Sequence, residues 1–297
     1  MKMQRVLRMA TAIVVAAWSV GCMGADASSG EDRAAPESGS GSARQESIPP
    51  GAEDAVARLQ ASPRHGEWVM IPTGPRDSVR AWVVYPERAD RAPVVLVVHE
   101  IFGLSHWVRA VADQVAADGF IAIAPDLLTR FDIPAGPDGA PSADSAVAAI
   151  RTLDPADVHR QLRAVAEYGM NLPAAERRYG IVGYCWGGAV AFAHAVESPE
   201  LGAAVVYYGA SPESATLATI RAPVLGLYAG DDARVNATIP AADSTMKALG
   251  KMFEHHIFPG AGHGFLRAQD GRDGANLRAS QAAWPLTVAW FRRYLGG

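Results

Sequence analysis

Residues 179–188 have the sequence Tyr-Gly-Ile-Val-Gly-Tyr-Cys-Trp-Gly-Gly, and an apolar, alanine-rich stretch follows directly. The β-branched start predicts a buried strand, and the continuation predicts a helix. A strand that turns at once into a helix needs glycine on both sides of the turn, because side chains at Gly183 and Gly187 would collide across it. The turn should therefore expose Cys185 beside a helix N-terminus, whose partial positive charge favours a thiolate.

Strands and helices alternate on both sides of this turn. The predicted strands are residues 79–85, 93–99, 120–124, 179–183, 203–208, 224–229 and 254–258, and the predicted helices are residues 105–118, 156–169, 187–196 and 280–295. The strand over 93–99 is apolar almost throughout, which indicates burial on both faces. This alternation predicts an α/β domain over residues 65–297, with a mostly parallel sheet and helices on both faces. Ligands of such sheets bind at the carboxyl ends of the strands.

Two later loops supply partners for the cysteine. The strand over 224–229 opens into Gly-Asp-Asp, which ends at Asp232, and the strand over 254–258 opens into a glycine-rich loop that contains His263. The order nucleophile, acid, histidine is that of the α/β-hydrolase triad. His263 would accept the thiol proton, and the aspartate would fix the tautomer of the imidazole.

Five motifs, all in the same order, resemble the dienelactone hydrolase family. They are residues 98–104 (Val-His-Glu-Ile-Phe-Gly-Leu), 183–188, 207–209 (Tyr-Tyr-Gly), 230–232 and 261–265 (Ala-Gly-His-Gly-Phe). The resemblance implies the α/β-hydrolase fold and a cysteine hydrolase of small esters or lactones, with Cys185, Asp232 and His263 as its triad. Asp232 is preferred to Asp231 because it occupies the acid position of the family pattern Gly-x-Asp-x-x-Val.

The resemblance also implies roles for neighbours of the triad. The backbone N–H groups of Ile101 and Trp186 would form the oxyanion hole, where negative charge develops on a tetrahedral intermediate. Glu100 would interact with the resting thiol and shift away when substrate binds. Such a restraint suits an exported thiol, because a permanently ionised one invites oxidation.

Three further positions are implied as substrate-binding residues. Arg267 would hold a substrate carboxylate, and Phe102 and Tyr208 would line the pocket. The family's second carboxylate-binding arginine has no aligned counterpart: residues 134–149 contain no arginine, and Arg130 and Arg151, which flank this stretch, do not align convincingly. We expect the segment over 129–155 to form the part of the pocket lid that differs most from the family.

The N-terminus has the composition of an export signal. Lys2, Arg5 and Arg8 precede an apolar run over residues 9–20, and Gly21 precedes Cys22. The apolar run is shorter than the about 20 residues that a membrane-spanning helix needs. We therefore expect residues 1–22 to be removed or processed as a signal.

Two processing sites are possible from the sequence. Residues 19–22 resemble a bacterial lipoprotein box, in which Cys22 is acylated and anchors the chain to membrane lipid. The alternative is ordinary signal cleavage after Ala27. Residues 23–64 are expected to be a disordered linker, since residues 23–50 are rich in Ser, Gly, Ala and Pro and contain Ile48 as their one branched aliphatic residue.

Composition argues against several other classes of protein. The 27 basic residues are scattered among 31 acidic ones, and the net charge of −4 makes nucleic-acid binding unexpected. No dinucleotide fingerprint and no metal-ligand spacing is present, so neither a cofactor nor a metal is expected. We expect an exported monomer in the bacterial periplasm or on the outer surface. The rival hypotheses are a non-catalytic surface lipoprotein that binds a small ligand, and a thiol redox protein.

Overall fold

The computed structural model describes residues 47–136 and 139–296. The predicted signal over 1–22, both proposed processing sites at Cys22 and Ala27, and residues 23–46 of the predicted linker lie outside the described residues. Within the described ranges, no helix combines the length and the apolar character that crossing a membrane requires.

Eight strands form one sheet. They are β1 (Gly66–Gly74), β2 (Asp77–Val84), β3 (Ala92–Val98), β4 (Ile121–Asp126), β5 (Ala175–Tyr184), β6 (Ala203–Tyr207), β7 (Val224–Ala229) and β8 (Phe253–Phe258). Their order across the sheet is β1-β2-β4-β3-β5-β6-β7-β8. The pairs β1–β2 and β2–β4 are antiparallel and the others are parallel, so the predicted mostly parallel sheet is confirmed. Every residue of β3 is buried, as its apolar sequence predicts.

Helices cover both faces of the sheet. They are α1 (Ala55–Ala61), α2 (His106–Ala117), α3 (Ala143–Ile150), α4 (Pro155–Met170), α5 (Trp186–Glu197), α6 (Ala233–Asn236), α7 (Ile239–Ala248) and α8 (Ala275–Leu295). One apolar core joins α2 and α8 to the sheet through residues such as Trp107 and Trp284. A second core, on the other face, joins α4, α5 and α7 through residues such as Leu162 and Phe192. The predicted fold, with helices on both faces of the sheet, is confirmed.

The predicted boundary at residue 65 is wrong for the described part of the linker. Ile48 is 2% exposed and belongs to the core formed by α2 and α8. The indole Nε1 of Trp107 donates a hydrogen bond of 3.0 Å to the carbonyl oxygen of Pro50. One buried aliphatic side chain and satisfied backbone carbonyls thus hold a stretch that composition alone assigns to a linker. We call residues 47–64 the N-terminal segment.

The second half of the N-terminal segment is held by polar contacts. Asp113 on α2 is 4% exposed, and its carboxylate accepts hydrogen bonds from Ser62 Oγ at 2.5 Å and from Arg64 Nη2 at 2.7 Å. Arg58 on α1 donates to the side chain of Gln114 at 3.0 Å. A buried carboxylate that is paired with a guanidinium avoids the cost of an uncompensated charge. The N-terminal segment is therefore part of the folded domain.

The expected lid segment contains two short elements. A 3-10 turn covers Thr129–Phe131, and α3 follows. The buried face of α3, which includes Ala146 and Ile150, packs with Ile101 and Trp186. This contact places α3 over the two residues whose backbone N–H groups were expected to form the oxyanion hole.

Candidate active site

Cys185 occupies the turn between β5 and α5 in a strained conformation. Its φ of 56° and ψ of −116° are unusual for a residue with a side chain. Its backbone N–H donates to the carbonyl oxygen of Tyr207 at 3.0 Å, which ties the turn to the neighbouring strand. A Cβ at Gly183 would overlap the carbonyl group of Gly187, and a Cβ at Gly187 would overlap the backbone at the end of β3. The predicted need for both glycines is confirmed.

Asp232 and His263 are in contact. The imidazole Nδ1 lies 2.5 Å from Asp232 Oδ2, and Asp232 is 7% exposed. The other carboxylate oxygen accepts from the backbone N–H of Val235 at 3.4 Å and caps α6. An ionised carboxylate can only accept, so Nδ1 is the donor in this contact, and in the neutral imidazole Nε2 then has a free lone pair. His263 therefore has the tautomer that a general base needs.

Asp231 faces a different environment from its neighbour. It is half exposed and forms an ion pair of 2.9 Å with Arg272 on the surface. The structure therefore separates two adjacent carboxylates that the sequence could distinguish only through a family pattern. Asp232, and not Asp231, contacts His263.

The three expected triad residues follow the carboxyl ends of three strands of one sheet. Cys185 follows β5, Asp232 follows β7 and His263 follows β8, and all three strands run parallel. The charge of Asp232 contributes to raising the pKa of the Cys185 thiol, which places the two groups within electrostatic range. The ring of Tyr208, at the end of β6, lies against the His263 ring with 5.1 Å between centroids.

Burial and the charge of Glu100 raise the pKa of the Cys185 thiol to about 11. The Trp186 backbone N–H and the charge of Arg234 act in the opposite direction, but they are weaker. In this resting state, burial and the charge of Glu100 therefore outweigh the helix N-terminus, which by itself favours a thiolate. The described residues hold Cys185 as a free thiol.

Glu100 and Arg267 form a second pair beside the cysteine. Glu100 is 4% exposed, and Arg267 Nε lies 2.9 Å from its Oε2. The contact is an ion pair by distance, yet the Nε–H is not aligned for a hydrogen bond. Burial raises the pKa of Glu100 to about 7, although Arg267 lowers it. The guanidinium also lies over the ring of Phe102, 5.0 Å from its centroid.

The two expected oxyanion donors flank the cysteine turn. Trp186 is the first residue of α5, and its backbone N–H hydrogen bonds to the Cys185 thiol and lowers the pKa of that group. Ile101 follows Glu100 after β3, and its N–H donates to no residue within 47–136 or 139–296. The N–H of Ile101 is therefore free for an oxygen atom bound beside the sulfur, whereas the N–H of Trp186 would first have to leave the thiol.

Phe102 and Tyr208, both expected to line the substrate pocket, differ in their exposure to solvent. Phe102 is partly exposed beside Arg267, as a pocket residue should be. Tyr208 is fully buried with a φ of 39°, and its ring packs under His263 and against Phe265. Tyr208 thus offers no exposed surface in this structure, and its expected contact with substrate stays a prediction. Tyr208 supports the imidazole from below.

Two residues that the sequence did not indicate hold the loop around His263. Asn276 accepts from the backbone N–H of Gly262 at 2.9 Å and donates to the carbonyl oxygen of Ala268 at 2.6 Å. Gln269 donates from Nε2 to the carbonyl oxygen of Pro49 at 2.8 Å. Amide side chains that bind backbone groups follow no sequence spacing, so no pattern predicts them.

Comparison with known proteins places this geometry in a family. Residues 79–295 match the model of the dienelactone hydrolase family. A Salmonella typhi protein with the provisional name carboxymethylenebutenolidase is 32% identical over 232 residues, covering 74% of this chain and 84% of its own length. An Escherichia coli protein of the same provisional name is 31% identical over equal shares of both chains.

A solved structure from the same family has a similar fold. The crystal structure of a provisionally named dienelactone hydrolase from Klebsiella pneumoniae has a TM-score of 0.67 and 27% identity. It matches over 78% of this chain and 99% of its own. The strained cysteine turn, the acid–histidine contact and the matched length agree, and the chain belongs to the dienelactone hydrolase family.

Proposed function

We propose that this protein hydrolyses small carboxylic esters or lactones through an acyl-enzyme on Cys185. The observation that carries the proposal is the 2.5 Å contact between Asp232 and His263, at the sheet edge that also presents Cys185. Membership of a hydrolase family supports the reaction class. No cofactor enters this mechanism.

In the first half of the reaction, Nε2 of His263 removes the proton from Cys185 Sγ. The sulfur attacks the carbonyl carbon of the substrate, and the carbonyl oxygen becomes an oxyanion near the N–H groups of Ile101 and Trp186. Asp232 stabilises the imidazolium that forms. The intermediate then collapses, the carbon–oxygen bond to the leaving group breaks, and the imidazolium gives its proton to the departing alkoxide.

In the second half, water replaces the leaving group. His263 removes a proton from the water, the hydroxide attacks the thioester carbon, and the sulfur leaves as the thiol with the proton from the imidazolium. A lactone differs in one respect: its leaving hydroxyl is part of the acyl group, and this step releases both together as one hydroxy acid. The enzyme returns to its starting state in both cases.

We further propose that an anionic substrate activates the thiol. Arg267 is paired with Glu100 at rest, so a substrate carboxylate that binds Arg267 would compete with Glu100 for the guanidinium. Glu100 would then protonate or move away. Because the Glu100 charge is one of the two main causes of the raised thiol pKa, its loss would make Cys185 easier to ionise.

The test is to trap the acyl-enzyme. The protein is mixed with 4-nitrophenyl acetate, quenched in acid and digested, and the mass of the peptide that contains Cys185 is measured. We expect an added acetyl mass on that peptide, a burst of nitrophenol, and neither of them in Cys185→Ala. An unmodified cysteine peptide despite full turnover would exclude the acyl-enzyme on Cys185. An inactive protein that folds normally would favour the rival of a non-catalytic binding protein.

We also propose that the protein is exported and anchored to membrane lipid through an acylated Cys22. The basic start, the apolar run and the lipoprotein-like box of residues 19–22 support this. Labelling of bacterial cells with a palmitate analogue should mark the protein, and Cys22→Ala should not be labelled. An unlabelled mature chain whose N-terminal sequence begins at Ser28 would instead support ordinary cleavage after Ala27.

A further inference from the structure

A cavity of about 320 Å³ lies between the antiparallel edge of the sheet and α2. Its lining includes Trp68 from β1, Arg80 from β2, Leu104 just before α2, Arg109 from the first turn of α2, and Ile133 from the lid segment. None of the triad residues lines it. The hydrolase proposal gives this cavity no role.

Aromatic rings fix the two guanidinium groups of the cavity. The Arg109 guanidinium lies 4.3 Å from the ring centroid of Trp82 and 5.2 Å from that of Trp68. The Arg80 guanidinium lies 4.6 Å from the same Trp68 ring. Cation–π contacts of this kind hold the planar groups in place before any ligand arrives. Two positive charges are therefore positioned at one cavity.

The guanidinium groups of Arg80 and Arg109 differ in whether an acidic side chain neutralises them. Arg80 forms an ion pair of 3.1 Å with Asp126, which is buried. Arg109 has no acidic partner within 4.0 Å among the residues that the structure describes, and its Nε is buried without a hydrogen-bond partner. Burial and the charge of Arg80 lower the pKa of the Arg109 guanidinium. A half-buried cation beside a second cation is costly unless an anion neutralises it.

The residues that line the cavity indicate which class of anion would fit it. The nitrogen atoms of Arg109 and Arg80 are donors only, so the charged part of the ligand must supply acceptors, as a carboxylate does. Leu104 and Ile133 provide an apolar wall. We propose that this cavity is a binding site for a small organic carboxylate, whose oxygens contact Arg109 and Arg80 and whose apolar body packs against Ile133.

Calorimetric titration of the full chain tests the proposal. The probes are benzoate, acetate as a carboxylate without an apolar body, and benzamide as a neutral molecule of similar shape. We expect benzoate to bind, and both of the other probes to bind at least about tenfold more weakly. Benzamide lacks the charged hydrogen bond, which is worth roughly this factor, and acetate lacks the apolar surface that would be buried against Ile133. Absence of benzoate binding, or equal binding of benzamide, would overturn the proposal.

Substitution of single arginine residues tests where benzoate binds. Arg109→Gln should weaken benzoate binding about tenfold. Arg130→Gln is the matched control, because Arg130 also lies on an aromatic ring, that of Phe131 at 4.8 Å, but is already paired with Asp157 at 2.6 Å. The control should bind benzoate as the wild type does. Equal losses in both variants would mean that general charge, and not this cavity, attracts the anion.

A further variant separates this site from the proposed active site. If benzoate binds only at Arg267, then Arg267→Ala will abolish binding while Arg109→Gln keeps it, and the proposal fails. Thermal melts check that the variants fold. Should Arg109→Gln not fold, Arg80→Gln and Trp68→Leu serve instead, because both side chains are more than two-fifths exposed. Unchanged benzoate affinity in both of these would equally overturn the site.

Discussion

Two pairs flank Cys185, each made of a buried carboxylate and a side-chain nitrogen group, and they are built differently. Asp232 is held by the His263 ring at 2.5 Å and by a backbone N–H of α6. Glu100 has Arg267 at 2.9 Å, with a poorly aligned Nε–H, and burial raises its pKa to about 7. We call Asp232 and His263 the fixed pair, because their contact orients a base. We call Glu100 and Arg267 the adjustable pair, because the charge of Glu100 can change near neutral pH.

The largest expected effect comes from breaking the fixed pair. Asp232→Asn should lower kcat by about 10³ to 10⁴, because an amide no longer enforces the tautomer of His263 or stabilises its imidazolium. Steady-state hydrolysis of an aryl ester measures this. Asp231→Asn is the matched control, since Asp231 pairs with Arg272 on the surface, and it should keep nearly full activity. Similar losses in the two variants would mean that the pair does not act as proposed.

The adjustable pair should appear in the pH dependence of stability. The pKa of Glu100 rises from 4.5 to about 7 on folding, so the folded state holds the proton more tightly. Stability from this group is therefore present below pH 4.5 and is lost as the pH rises to 7 and above. The loss is on the order of 3 kcal/mol in the free energy of unfolding.

Urea unfolding at several pH values between 4.5 and 8 measures this contribution. Glu100→Gln cannot ionise, so its free energy of unfolding should fall less over this range than that of the wild type. Glu53→Gln, at an exposed position of the N-terminal segment, is the control and should follow the wild type. Parallel curves for all three proteins would contradict a buried, titrating Glu100.

The positions of the fixed pair could be predicted from the sequence, because parallel strands bring their carboxyl ends to one edge. Each of Cys185, Asp232 and His263 follows such a strand, and the glycines around the cysteine turn mark it. The sequence could not predict the raised pKa of the thiol. That value depends on how far burial and Glu100 outweigh a helix N-terminus, which only the three-dimensional arrangement decides.

The N-terminal segment could not be predicted for a related reason. Residues 23–50 have a composition typical of a linker, and the contacts at Pro49 and Pro50 use their backbone carbonyl groups, which have no side-chain signature. The one side-chain signal was Ile48, the single branched aliphatic residue over 23–50. The burial of Tyr208 could not be predicted either. Its motif indicates a residue that contacts substrate, whereas its side chain is buried beneath the imidazole of His263.

Removal of the arginine from the adjustable pair should have an intermediate effect. Arg267→Ala is expected to raise KM about tenfold for an ester that carries a carboxylate, because one charged contact to the substrate is lost. For a neutral ester of similar size, KM should change much less. The ratio of the two KM values is the measurement, and equal increases would mean that Arg267 only supports the fold.

The smallest expected effect comes from loosening the loop that connects the two pairs. This loop carries both His263 and Arg267, and Gln269 fixes it by donating to Pro49 at 2.8 Å and to Leu266 at 3.1 Å. Gln269→Ala removes both bonds, but the backbone N–H of Ala52 still donates to the carbonyl oxygen of Arg267 at 2.8 Å. We therefore expect kcat to fall only by about twofold to fivefold, less than the full loss of two neutral hydrogen bonds would give, because the Ala52 contact still holds the loop.

Ser62→Ala is the control that separates loop positioning from loss of stability. Ser62 belongs to the same N-terminal segment, but its hydroxyl donates to Asp113 on α2, whereas Gln269 binds the loop itself. Both variants should melt at slightly lower temperature, whereas only Gln269→Ala should lower kcat and speed amide hydrogen exchange over residues 263–269. If Ser62→Ala lowers kcat as much, the N-terminal segment contributes stability alone, and both pairs are positioned by the rest of the domain.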